Sequence, residues 1–178
     1  FSNEAFVDAV RRQVEVAVAV GTPMLVINSG ARSEAALNRQ FSDLPPQAFV
    51  HYGNFIGETL KIAADLQVRN VTMGIMLGKA VKLAEGNLDT HSRSVVMNKE
   101  FLKQLAADAG CSPAAAMAID ALTLARELWK ALPEPDANRF FPAVLDRCRE
   151  VCAAAYPPSA GTLAILLLDE DGRIRKTD

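Results

Sequence analysis

Val71-Thr72-Met73-Gly74-Ile75-Met76-Leu77-Gly78-Lys79-Ala80-Val81-Lys82-Leu83 is the stretch that decides how this chain folds. A short apolar run, Val71 to Met73, reads as a strand buried on both faces. Gly74 and Gly78 flank a turn, and Lys79 to Leu83 reads as a short basic helix. A strand that hands over directly to a helix is the unit from which α/β sheets are built. Just downstream, Asp89-Thr90-His91-Ser92-Arg93 gathers an acid, two hydroxyls, an arginine and one of the two histidines of the chain.

The same alternation recurs on either side. Met24 to Ile27 is a continuous apolar run that enters the polar turn Asn28-Ser29-Gly30-Ala31-Arg32-Ser33-Glu34. Ala48 to His51 leads through Tyr52-Gly53 to a helix that Asn54 can cap, with Ile56, Leu60, Ala63 and Leu66 on one face. Thr162 to Leu168 is a further strand, and Asp169-Glu170-Asp171-Gly172 turns it into Arg173-Ile174-Arg175.

Helices fill the remainder. One starts at Ser2 or Asn3, carries Phe6, Val10, Val14 and Ala17, and stops at Gly21. Asn98 caps another, and Ser112-Pro113 opens a third along Met117, Ala121, Leu124, Leu128 and Leu132. Pro133-Glu134-Pro135 is expected to break the chain, with a last helix beginning near Pro142. The expected fold is α/β: a mostly parallel, Rossmann-like sheet of about four strands, helices on both faces, and a C-terminal hairpin.

Composition narrows the function classes. The 178 residues are half apolar, with a formal charge of −2. No basic run occurs, which argues against nucleic acid as a partner. The apolar runs are too short to span a membrane, and F-S-N-E-A-F lacks the pattern of a signal peptide. Cys111, Cys148 and Cys152 have no metal-ligand spacing and read as small buried hydrophobes in a reducing cytoplasm. No metal site is expected.

In open α/β sheets ligands gather beyond the carboxyl ends of the strands. Four polar segments follow those ends here: 28–34, 52–57, 74–79 and, downstream, 89–93. Ser29 to Glu34 can present backbone N–H groups to a carboxylate or phosphate, or serve only as a capped turn. Gly74-Ile75-Met76-Leu77-Gly78-Lys79-Ala80 is not a P-loop. It has three residues between the glycines where a P-loop has four, and alanine where Mg²⁺ needs a hydroxyl. Gly53-Asn54-Phe55-Ile56-Gly57 is not a dinucleotide fingerprint. His91 can exchange a proton near neutral pH, approach a metal, or simply satisfy itself on Asp89 or Ser92. His51, ending an apolar strand, reads as structural. Lys79, Lys82 and Arg93 lie close in sequence to His91 and suit an anionic ligand.

Gly78 to Arg93, G-K-A-V-K-L-A-E-G-N-L-D-T-H-S-R, closely resembles a signature of the CbiD family. So do Ile27 to Glu34, Ala48 to Gly57 (with Tyr52 where the family usually has methionine) and Leu167 to Arg173. The stretch from Cys111 to Pro157 is the least specific. The family has a further amino-terminal domain with a threonine- and glycine-rich motif, and nothing like it occurs here. Residues 1–178 thus resemble the carboxyl-terminal α/β domain alone. The resemblance implies transfer of a methyl group from S-adenosylmethionine to C-1 of cobalt-precorrin-5B, giving cobalt-precorrin-6A, in anaerobic cobalamin biosynthesis. Cobalt is then carried by the substrate. Arg32, Lys79, Lys82 and Arg93 are assigned to the corrinoid carboxylates. Ser29, Gly30, Glu34, Gly53, Asn54, Gly74 and Gly78 are assigned to the donor, and His91 to catalysis. The alternative is a non-catalytic module that binds a corrinoid or a partner. The implied partners are the corrinoid and the missing domain, and a homo-oligomer stays open.

Overall fold

A computed structural model of the chain describes residues 2–89 and 96–177. Five strands form one sheet: β1 (Leu25–Asn28), β2 (Phe49–His51), β3 (Asn70–Met76), β4 (Thr162–Leu168) and β5 (Ile174–Thr177). Their order is β2-β1-β3-β4-β5. The first four are parallel, and β5 runs antiparallel to β4. The expected sheet of about four strands is therefore completed by a fifth, the hairpin partner. β1 lies between β2 and β3, with Ile27 opposite Val50 on one side and Met73 on the other. All four of its residues are buried, as the unbroken apolar run requires.

Alternation along the strands creates two unequal cores. Leu25, Ile27, Met73, Ile75, Ile165 and Leu167 face the larger one. It is closed by α1 (Asn3–Ala19), α3 (Ile56–Asp65), α4 (Leu77–Ala84), α5 (Lys99–Asp108), α6 (Pro113–Asp120), α7 (Leu128–Ala131) and α8 (Glu134–Cys152). Val26 and Leu166 face the other side, where Leu37 covers them from α2 (Ala31–Gln40). Helices thus lie on both faces, although α2 alone represents them on the second among the described residues. Gly74 lets α2 come close, because a Cβ there would overlap Leu37 Cδ1.

Several local expectations change. β3 runs past Met73 to Met76, so Gly74 is a strand residue rather than the start of a turn. The last long helix begins at Glu134, and Pro142 sits inside it. Pro135 falls in the first turn, where the missing N–H has no intrahelical partner anyway. Pro142 costs roughly 3 kcal/mol in a helix interior. Phe140, Phe141, Val144 and Leu145 are all buried around it, and each contributes about 1.5–3 kcal/mol, so burial wins.

The start of α6 is held from outside. Ser112 makes no capping bond of its own. Instead the Asp136 carboxylate accepts the Ser112 N–H at 2.7 Å and the Ser112 hydroxyl at 2.6 Å. The hydroxyl first, then the N–H, hold this carboxyl below its ordinary value of 3.8. A depressed folded-state pKa contributes stability above the unfolded value and loses it as pH falls through the folded one. Asp136→Ala should therefore lower the melting temperature at neutral pH. The gap from the parent should narrow as pH falls below the ordinary value. Calorimetric melting at a series of pH values measures this, and a gap independent of pH would show that the carboxylate charge is not what matters.

Candidate functional site

The chain passes from β1 to β2 on one side, then returns to β3 on the other. The strand order therefore reverses between β1 and β3, and the crevice beyond their carboxyl ends is where such sheets take ligands.

Three turns build this edge. After β1, the Asn28 carbonyl accepts the Tyr52 N–H at 2.8 Å, and its side-chain Oδ1 accepts the Gly30 N–H at 2.7 Å. Gly30 has φ +100°, where glycine is the natural residue, and Ala31 follows at φ +50°. The Ser33 hydroxyl donates to the Gly30 carbonyl at 2.8 Å and lies 3.1 Å from the Ser29 hydroxyl. Among the described residues no side chain caps the first turn of α2.

After β2, His51 Nε2 meets Glu34 Oε2 at 2.9 Å, which ties α2 to the strand end. Tyr52 is fully buried, and its hydroxyl donates to the Gly74 carbonyl at 2.9 Å. Burial pushes its phenol well above the ordinary value, and a bond with Ser29 opposes that only in part. After β3, α4 starts at once. The Lys79 ammonium donates to the Gly53 carbonyl and lies 5.3 Å from the centre of the Tyr52 ring. Burial first, then the charge of Lys82, lower its pKa. Among the described residues a Cβ at Gly78 would meet nothing within 4 Å, so this position faces open space there.

The segment after α4 returns to the same edge. The Gly57 N–H donates to the Leu88 carbonyl at 3.2 Å, and the Glu58 N–H donates to Asp89 Oδ1 at 3.2 Å. Asp89 also forms a β-bridge with Phe55. Asp89, not Asn54, thus satisfies the start of α3: the helix begins at Ile56, one residue too late for Asn54 to cap it.

The fold brings Ser29, Gly30, Glu34, Gly53, Asn54, Gly78 and Lys79 to one edge. Lys82 lies one turn further along α4. Arg32 points toward the β4–β5 turn, with Nη1 3.2 Å from the Glu170 carbonyl and 3.5 Å from its carboxylate. Gly74 lies within β3 beneath Leu37. His91 and Arg93 fall outside the described residues.

Some contributors had little or no sequence signal. Phe6 of α1 reaches the site from far away in the chain: a Cβ at Gly53 would come 2.7 Å from its Cζ, and its ring lies 5.4 Å from that of Phe55. Beside these rings opens a cavity of about 400 Å³, bordered by Glu4, Asp8, Phe55 and Glu58. This acidic flank balances the basic flank at Lys79 and Lys82. A second cavity, of about 230 Å³, lies at the opposite end of the sheet against Leu25, Gln67, Arg69 and Asn70. The carboxyl edge is the stronger candidate, because there the polar turns converge and the strand order reverses.

Among the described residues no group of histidine, cysteine and acidic side chains could hold a metal. Cys148 and Cys152 are fully buried, Cys148 donating to the Ala80 carbonyl at 3.2 Å. Burial pushes the Cys152 thiol up to about 12, so it stays protonated. No described helix is long and apolar enough to cross a membrane.

Known proteins resemble this chain over nearly its whole length. The family described as "CbiD, C-terminal domain" matches residues 89–178. A protein of Prosthecochloris aestuarii named cobalt-precorrin-5B C(1)-methyltransferase is 40% identical over 175 residues, covering 98% of this chain and 47% of its own length. Proteins of the same name from Geobacillus sp. (strain WCH70) and Nitratidesulfovibrio vulgaris are 34% and 32% identical. The matches take in 93% and 90% of this chain, and 44% and 42% of those proteins. The chain spans less than half the length of these relatives. No solved structure matches it.

Proposed function

We propose a function from the premise that this chain belongs to the CbiD family: it supplies the carboxyl-terminal α/β domain of a cobalt-precorrin-5B C(1)-methyltransferase. The reaction moves a methyl group from S-adenosylmethionine to C-1 of the cobalt corrinoid, giving cobalt-precorrin-6A. An amino-terminal domain completes the enzyme, and the setting is the cytoplasm.

The observation that carries this reading is the convergence of three polar turns on the switch point of the sheet, in a chain that these relatives match over 90% or more of its own length. The donor brings its own activated sulfonium, so the protein's task is to hold two reactants in line. The two flanks divide that task by charge. The donor is cationic at sulfur and carries ribose hydroxyls, which suit the acidic flank and the turns at Ser29, Gly30, Gly53, Asn54 and Gly78. Glu34, already engaged by His51, joins them. The corrinoid carries many carboxylates, which suit Lys79, Lys82 and Arg93, whereas Arg32 is engaged by Glu170 at the β4–β5 turn. The strand position of Gly74 gives it a supporting part through packing. His91 follows Asp89 on the same segment and manages the proton.

A second reading is that the chain binds a corrinoid or a partner without turnover. A calorimetric titration with S-adenosylmethionine and an absorbance titration with the cobalt corrinoid separate the two. Binding of both supports the methyltransferase reading. Binding of the corrinoid alone, or of neither, favours the module.

A further inference from the structure

Asn28 ends β1 at the switch point and is fully buried. Its carboxamide oxygen is occupied by the Gly30 N–H, yet among the described residues its nitrogen, Nδ2, has no hydrogen-bond partner. The assignment of oxygen and nitrogen is forced, since a flipped amide would set Nδ2 against the Gly30 N–H. Buried donors are nearly always paired, and leaving one unpaired is costly. The carboxamide is rigid, so fixing its oxygen on the β1–α2 turn also fixes its nitrogen there. That turn leads into a ten-residue helix with no side-chain cap. Amide N–H groups, a helix N-terminus and a spare carboxamide N–H therefore share one place, and each favours an anion.

We infer that the β1–α2 turn binds a carboxylate, with Asn28 Nδ2 as a contact residue beside the backbone N–H groups of the first turn of α2. The inference rests on the methyltransferase reading. That reading offers two carboxylate sources: the amino-acid end of the methyl donor and the acid side chains of the corrinoid. The site requires a small opening of the turn, because the amide nitrogen is sealed from solvent. Glycine at position 30 gives that turn its freedom.

Asn28→Asp keeps an oxygen for the Gly30 N–H and replaces the donor with a like charge. Its affinity should fall by roughly ten- to a hundredfold for whichever ligand supplies the carboxylate. Decarboxylated S-adenosylmethionine and a fully methyl-esterified corrinoid, each titrated against wild type and variant, identify the source. The ligand whose carboxylate is bound loses affinity when that group is removed, and Asn28→Asp then makes little further difference. Affinities within twofold of wild type for both natural ligands would overturn the inference and leave the methyltransferase reading standing. Wild-type protein that binds neither ligand overturns both. If Asn28→Asp fails to fold, the wild-type Asn28 side-chain NH₂ resonances decide. They should shift on titration with the ligand, and resonances that stay in place at saturation would contradict the site.

Discussion

Gly161→Ala is expected to destabilise the protein by about 3 kcal/mol or more, a large share of the roughly 5–15 kcal/mol that holds a domain together. Two effects act together. Gly161 has φ +153°, a conformation that costs a residue with a side chain roughly 1–3 kcal/mol. A Cβ there would also collide with the Arg69 backbone carbonyl and the Tyr156 hydroxyl. The Arg69 carbonyl cannot swing aside freely, because it accepts the Thr162 N–H at 2.8 Å where β4 meets β3. Overpacking of this kind adds about 1–3 kcal/mol. Urea denaturation gives the difference, and a loss below about 1 kcal/mol would mean that the α8–β4 connection yields more easily than its contacts imply.

Gly78→Phe should do the opposite: remove ligand binding and spare the fold. Gly78 lies in the first turn of α4, facing open space at the carboxyl edge. A ring there meets no atom of the described residues near its Cβ, and replacing glycine in a helix gains up to about 1 kcal/mol. The same ring would stand beside Lys79 at the start of α4, where the donor is proposed to bind. S-adenosylmethionine affinity should fall by about a hundredfold or more, equivalent to roughly 3 kcal/mol, with the melting temperature unchanged or raised. Unchanged affinity with an intact fold would place the donor elsewhere.

The sheet was readable in the sequence because its strands are short apolar runs followed by glycine-rich polar turns. Val26, Ile27, Met73 and Leu167 could face nothing but core. The helix boundaries were harder to read. Pro142 looked like a start because local propensity says so, and the buried phenylalanines around it overrule that preference. Asn54 looked like a cap, but the cap comes from Asp89, 31 residues from the Glu58 N–H it accepts. A cap supplied across the fold leaves no local pattern. The same holds for Phe6 against Gly53, and for Asp136 on Ser112. Ser29, Gly30, Gly53 and Lys79 were visible as residue types suited to a ligand, whereas Asn28 was hidden. An asparagine at a strand end is ordinary until its nitrogen is seen to be buried and unpaired.

The central claim is that the methyl donor sits at the carboxyl edge of β1 and β3. Backbone amide resonances of the chain titrated with S-adenosylmethionine test it most directly. The account predicts that Gly30, Gly53, Gly57 and Gly78 shift together and saturate at one affinity, while Leu25, Gln67 and Asn70 stay in place. Shifts confined to Leu25, Gln67 and Asn70, which line the cavity at the other end of the sheet, would contradict it.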